Sequence, residues 1–354
     1  DAIIRAGEKS DIVISTGGLG PTDDDLTRKA FADALDMPLE FDEKEKKRII
    51  ELFKNYKFKY TKDNDRQAYF PKGSSIIINN KGTASGFYIN KDNVKYFTLP
   101  GVPSQAKLLF ENFIKPEIGK NLEIKTSNLC AKLFGIGEAN MNELFREKIN
   151  TENINWGTLF KSDGLYLKVR AYGENSDERI DKVKEELSNL FSDKIWGWND
   201  DELPKILGEK LKSKKYSLST AESCTGGLIG KILTDISGSS SYYVGGAVVY
   251  SNELKINLLG VDEELIIKNG AVSEQVVYQL AENAKIKFNT DCAIGVSGIA
   301  GPTGGSKEKP VGLVWMGIST PKGTKTFKCH LPGNREDIRL RAAYYALNLL
   351  QNEL

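Results

Sequence analysis

One histidine, His330, is all the imidazole in these 354 residues. A Ser-His-Asp hydrolase would have to be built around that single ring, and a histidine-rich metal centre is excluded. Cysteine is scarce as well. Cys130, Cys224, Cys292 and Cys329 show no Cys-x-x-Cys spacing, which argues against a zinc ribbon or a disulfide framework and fits a reducing, cytoplasmic compartment. No apolar run reaches the ~20 residues that span a bilayer, and no signal-peptide pattern is visible, so a membrane is not an expected partner. Charge of one sign is also lacking: 49 basic residues face 48 acidic ones, for a net charge of +1. Nucleic-acid binders usually carry a basic excess, so nucleic acid is not expected either. The length allows two or three domains.

What is present is concentrated after residue 215. Tyr216–Ala221 reads as a short strand and Gly226–Leu233 as the helix after it, with Leu228, Ile229, Ile232 and Leu233 on one face. Ser223, Cys224 and Thr225 then fall on a strand-to-helix turn. A side chain there is expected to be exposed, and the nearby amides, including those of Gly226 and Gly227, suit an oxyanion or a phosphate. Ser and Thr are equally ordinary helix caps.

Ser241–Tyr250 reads as a buried strand, and Ser251 as the cap of a helix carrying Lys255. Tyr250 and Lys255 lie toward the edge where open α/β sheets place their ligands. A lysine serves as a base only when burial or a nearby cation lowers its pKa by roughly 3 units. Otherwise it is a solvated helix lysine. Asp291–Ser297 reads as a strand, and Gly298–Gly305 as a loop whose glycines let amides approach a ligand. Ser297, Gly298, Gly301, Thr303 and Gly304 are therefore candidate substrate contacts, unless the loop is a plain connection to a strand at Val311–Ile318.

The first third of the chain carries a separate signal. Ser10–Ser15 reads as a strand, Thr16–Asp25 as a glycine-rich acidic loop, and Leu26–Leu35 as a helix. Gly17, Gly18 and Gly20 bring the backbone close to a ligand. Asp23, Asp24 and Asp25 either complement the helix dipole or hold a divalent metal on a phosphate. Leu99–Pro103 reads as a turn before a helix at Ser104–Phe113. Between the halves, strands at Ser127–Phe134, Ile154–Phe160 and Leu165–Tyr172 and helices at Gly137–Ile149 and Asp177–Phe191 give a β-α-β-β-α order, a small α+β module.

The motifs Ala221-Glu-Ser-x-Thr-Gly-Gly227, Tyr250-Ser-Asn-x-x-Lys255, Gly270-Ala-Val-Ser-Glu274 and Gly298-Ile-Ala-Gly-Pro-x-Gly-Gly305 make residues 201–354 resemble the C-terminal domain of the competence-damage inducible CinA family. The resemblance implies an α/β nicotinamide-nucleotide amidase. Its substrate would be nicotinamide mononucleotide, its products nicotinate mononucleotide and ammonia, and it would need no cofactor. The family nucleophile falls on Ser223, with Tyr250 and Lys255 assisting. Cys224 is a rival nucleophile next door. Arg335, at the start of the last helix, is a candidate phosphate contact. Which loop holds the oxyanion and which the phosphate stays open.

Residues 1–122 resemble the family's molybdopterin-binding-like three-layer α/β domain, with Asp25 at that fold's aspartate. This implies a second possible activity, metal-dependent hydrolysis of ADP-ribose to AMP and ribose 5-phosphate. The family's first strand and its loop are absent from this sequence, which puts that activity in doubt. Residues 123–200 resemble the family's KH-like middle domain, without a Gly-x-x-Gly loop. The resemblance also implies a homodimer. A non-enzymatic partner protein in competence or recombination is the remaining alternative.

Overall fold

The computed structural model describes residues 1–119 and 125–354. They form two compact units that divide at 123/124. The domain boundary expected at 122/123 therefore lies outside the described residues.

The first unit runs α1 (Ala2–Gly7), β1 (Ile12–Thr16), α2 (Thr27–Ala34), β2 (Leu39–Phe41), α3 (Glu43–Asn55), β3 (Tyr69–Pro71), β4 (Ser75–Ile77), β5 (Gly86–Lys91), β6 (Val94–Leu99), α4 (Pro103–Leu109) and α5 (Lys115–Gly119). Its main sheet has the order β1-β6-β5-β4, and only β1 and β6 pair in parallel. Phe31 on α2 packs edge-on against Phe87 and Tyr96 of the sheet, closing one core. Helix α3 starts where it does because Asp42 accepts the Glu45 amide at 2.7 Å.

The second unit opens with β7 (Thr126–Leu133), α6 (Glu138–Lys148), β8 (Ile154–Lys161), β9 (Gly164–Tyr172), α7 (Ser176–Leu190) and β10 (Ile195–Trp198). The last strand extends the expected order to β-α-β-β-α-β, with sheet order β10-β7-β9-β8 and every pairing antiparallel. This is a split β-α-β, or ferredoxin-like, arrangement. The sequence reading missed β10 because four residues, Ile-Trp-Gly-Trp, are too few to show an alternation. Met141, Phe145, Val183 and Leu187 of the two helices cover one face of the sheet.

The chain continues as α8 (Leu203–Lys214), β11 (Leu218–Glu222), α9 (Leu228–Thr234), β12 (Tyr243–Val248), α10 (Asn252–Leu259), α11 (Glu263–Asn269), α12 (Glu274–Phe288), β13 (Cys292–Gly298), β14 (Leu313–Thr320), β15 (Gly323–His330) and α13 (Arg335–Glu353). The sheet order is β12-β11-β13-β14-β15, with β11 parallel to both β12 and β13. α8, α9 and α13 pack their apolar residues on one face, and α12 packs on the other. Gly295 and Gly317 let α12 lie close: a Cβ at Gly295 would stand 2.7 Å from the Ala281 amide nitrogen.

One expectation fails here. β12 is not a buried strand but an edge strand, with Val244 and Val248 exposed. It has a hydrogen-bonding partner on one side only, and the face that carries Val244, Gly246 and Val248 is left uncovered. The chain leaves β11 toward β12 and returns on the other side to β13. β11 is thus the topological switch point, and a crevice forms beyond its carboxyl end.

Candidate active site

Ser223 directly follows β11 at that switch point. Its amide donates to Val296 O of β13 at 3.0 Å, which fixes the turn across the strand ends. The side chain is 8 % exposed, more enclosed than a strand-to-helix turn suggested. The helix-start amides expected to meet an oxyanion are already engaged. Glu222, buried at the end of β11, accepts the Gly227 and Gly230 amides at 2.9 Å and the Ile229 amide at 3.1 Å. The Gly226 amide donates to Ser223 O at 3.1 Å. The Thr225 amide has no acceptor among the described residues, and so remains as an oxyanion donor on this turn. The Thr225 side chain is fully buried, with its hydroxyl unpartnered.

Arg339 clamps the turn from α13. Its Nε donates to Cys224 O at 3.0 Å and its Nη2 to Thr225 O at 2.9 Å. Sequence reasoning missed both Glu222 and Arg339. Glu222 stood inside a quoted motif. Arg339 lies one helical turn after Arg335, the only hint that both face the same loops.

Lys255 is 1 % exposed. Its Nζ donates to Val249 O at 2.8 Å, Tyr250 O at 3.1 Å and Ser251 O at 3.4 Å. Val249 in turn donates its amide to Glu222 O at 2.8 Å, so the amine reaches the strand end beside Ser223. Burial pulls the Lys255 pKa below its ordinary value, with Cys224 acting the other way. The three carbonyls favour the ammonium form, since they match its three donors. The amine therefore has to leave one carbonyl, most readily the distant Ser251 O, before its lone pair can serve Ser223.

Tyr250 lies beyond the end of β12 and is 58 % exposed. Its hydroxyl accepts from Arg335 Nη2 at 3.0 Å, while Arg335 Nη1 donates to Gly301 O at 2.7 Å. Arg335 therefore ties the Tyr250 loop to the 298–305 loop. Gly301 and Gly304 have φ of +72° and +85°, a conformation that suits glycine. Thr303 and Gly304 are exposed, whereas Ser297 is buried and spends its hydroxyl on Ala271 O at 2.7 Å. Gly298 lies against Cys224, whose Sγ would meet a Cβ there at 3.1 Å.

Burial pushes the Cys224 thiol up to about 12, which keeps it protonated near neutral pH and weakens it as a nucleophile. His330 stands exposed on the edge strand β15 and hydrogen-bonds to none of these groups.

In the first unit, the glycine loop follows β1. Thr22 Oγ1 lies 2.5 Å from Asp24 Oδ1 and 2.6 Å from Asp25 Oδ2. Asp23 turns away and pairs with Arg66 at 2.5 Å. Burial opposes ionisation of Asp25, yet bonds from Thr22 and the Gly20 backbone, with the charge of Arg28, hold its carboxyl below the ordinary value. Gly17 and Gly18 have positive φ, and Gly20 packs against the Asp25 carboxylate. Among the described residues, no three acidic, thiol or imidazole groups converge as an all-protein metal cage requires. Asp24 and Asp25 alone fit a hydrated divalent ion that takes its other ligands from phosphates.

The sequence comparisons agree with this architecture. Residues 200–354 match the CinA C-terminal domain, residues 1–120 the probable molybdopterin binding domain, and residues 130–197 the damage-inducible protein CinA KH domain. A competence-damage inducible protein of Caldanaerobacter subterraneus subsp. tengcongensis is 37% identical over 351 residues, covering 99% of this chain and 85% of the relative. One from Clostridium beijerinckii is 38% identical over 357 residues, covering 100% of this chain and 87% of the relative. This chain belongs to the CinA family. The crystal structure of competence/damage inducible protein CihA from Agrobacterium tumefaciens is 40% identical and covers 42% of this chain and 92% of its own, with a TM-score of 0.41. The fold is thus mixed α/β with a molybdopterin-binding-like first domain, a KH-like middle domain and the CinA C-terminal domain. No helix among the described residues is long and apolar enough to cross a membrane.

Proposed function

We propose that the C-terminal domain of this CinA protein hydrolyses the carboxamide of nicotinamide mononucleotide, giving nicotinate mononucleotide and ammonia. The observation that carries this reading is the pairing of an enclosed serine at the switch point with a lysine buried beside the same strand ends, without an imidazole. Ser223 Oγ attacks the carboxamide carbon as neutral Lys255 takes its proton. The proton then passes to the departing nitrogen, ammonia leaves, and water hydrolyses the acyl-serine by the same relay. The Thr225 amide, which has no acceptor among the described residues, is the donor assigned to the developing oxyanion. Arg335, with the exposed Thr303 and Gly304 nearby, offers the 5′-phosphate a cation and flexible backbone donors. No step uses a metal or a cofactor.

The test is ammonia release from nicotinamide mononucleotide by the purified chain and by Ser223→Ala. Release by the wild type alone supports the reading. Equal release by both, or none by a folded wild type, sinks it.

A second activity rests on the first domain. Thr22 donates its hydroxyl to Asp24 and its amide to Asp25, which keeps the two carboxylates together; they would hold a divalent metal, which would supply charge neutralisation for hydrolysis of the pyrophosphate of ADP-ribose. AMP formation that requires added metal, and is lost in Asp25→Ala, is the expected result.

A further inference from the structure

In the second unit, the end of β7, the tip of the β8–β9 hairpin, the end of β15 and one face of α13 close around a cavity. Phe134 follows β7, Phe160 and Lys161 end β8, and His330 ends β15. Arg341 and Tyr345 lie four residues apart on α13, so their side chains share a face of that helix. These six residues line a space of about 220 Å³. None of the Ser223 turn, the Tyr250 loop or the 298–305 loop reaches it. Arg341 lies six residues after Arg335, about 9 Å along the helix and on a different face.

The walls are aromatic and the ionisable groups are one-sided. Phe134 and Tyr345 stack, with ring centroids 5.6 Å apart and planes 21° apart. The Arg341 guanidinium lies over the Phe160 ring, 5.0 Å from its centroid. Lys161, His330 and Arg341 supply basic groups, and no aspartate or glutamate lines the cavity. Asp163, in the hairpin turn beside it, is taken up by the Tyr166 hydroxyl. Arg341 is under-used. Its Nη1 donates to Pro332 O, while its Nε is buried with no acceptor among the described residues. Arg335 and Arg339, on the same helix, each place two N–H groups on protein acceptors. A guanidinium N–H buried without an acceptor costs stability, and a carboxylate is the group that the guanidinium fork fits.

We propose that this cavity binds a small aromatic carboxylate, with its ring against the aromatic walls and its carboxylate on Arg341. A cavity of roughly 150 Å³ takes a benzene ring, so this one has room for a single ring and a carboxylate, and too little for a nucleotide. An inorganic anion would use Arg341 and leave the aromatic walls wet. A neutral apolar ligand would leave the guanidinium without its acceptor. Only a ligand with both parts answers both features. The proposal is independent of Ser223 and the amidase reading.

His330 is the only histidine in the chain, and its ring lies against Gly312, where a Cβ would meet Cε1 at 3.3 Å. The full chain carrying isotope-labelled histidine therefore gives one imidazole signal in a nuclear magnetic resonance spectrum, and that signal reports on this cavity. Benzoate is the probe. Acetate, which keeps the carboxylate, and benzyl alcohol, which keeps the ring, are the comparisons. Benzoate should shift the signal saturably and bind roughly tenfold or more tighter than either comparison. Arg341→Met should weaken benzoate roughly tenfold or more and leave benzyl alcohol within about threefold. Arg341→Lys should restore only part of the loss, because an ammonium lacks the fork. If the Arg341 variants melt below the wild type, Phe160→Ser, at a side chain 51 % exposed, provides the test. It should weaken benzoate about threefold or more and leave acetate unchanged. No saturable shift overturns the proposal, as does equal affinity for benzoate and either comparison. Benzoate binding that these variants leave unchanged overturns it too.

Discussion

The carboxylate of Glu222 accepts the Gly227 amide at 2.9 Å, so the residue before the candidate nucleophile caps the helix that follows it. Two further amides, of Ile229 and Gly230, converge on the same group. Glu222→Ala should therefore cost about 2 kcal/mol or more, because it strands three donors at a helix start, one buried and two half-buried. Urea denaturation measures this. A loss below about 0.5 kcal/mol would show that the cap is dispensable.

Lys255 has a pKa lowered by burial. Between that folded value and the unfolded value near 10.5, the unfolded chain binds more protons. Stability should then rise with pH through this window, and the burial penalty is fully present below it. Lys255→Met should abolish the rise and reduce amide hydrolysis by roughly 10²–10⁴-fold. The alkaline limb of kcat/KM in the wild type should climb at a pH below 10.5. Denaturation and rate profiles of both proteins over alkaline pH check the two together.

Cys224 provides a contrast at the next position. Its thiol is pushed up to about 12 by burial, so a thiol-alkylating reagent at neutral pH should leave it unmodified in the folded chain. Cys224→Ala should keep amidase activity within a few-fold, at a stability cost of about 1 kcal/mol for the lost packing. Loss of activity comparable to that of Ser223→Ala would move the nucleophile to the thiol.

Arg335 bridges Tyr250 Oη at 3.0 Å and Gly301 O at 2.7 Å. A guanidinium fork spans both acceptors, whereas an ammonium holds one point. Arg335→Lys should therefore behave like Arg335→Met, raising KM for the nucleotide roughly tenfold, the equivalent of one charge-assisted hydrogen bond. Steady-state kinetics decide it. Recovery of wild-type KM in the lysine variant would show that charge alone matters.

The elements of the site were legible from the sequence wherever local rules dominate. Ser251 accepts the Leu254 amide at 3.1 Å, the cap that its position before the helix anticipated. The sequence places the strands at Leu218–Glu222 and Cys292–Gly298 over Tyr216–Ala221 and Asp291–Ser297, each leading into a glycine-containing turn. β10 stayed hidden for want of length. The exposure of β12 stayed hidden because an apolar run looks the same at the edge of a sheet as at its centre.

The sequence by itself determined the α/β class, the glycine-rich turns, and the presence of a serine, a tyrosine and a lysine in a chain with one histidine. Those properties follow from composition and from spacing within a few residues. Only the tertiary structure decided where the charges and donors go. Glu222 rather than a ligand takes the helix-start amides, Arg339 holds the serine turn from 115 residues away in the chain, and Lys255 points its amine at three carbonyls. Each of these depends on which strand neighbours which. Sheet order and register are set by burying whole faces at once, and no local pattern encodes them.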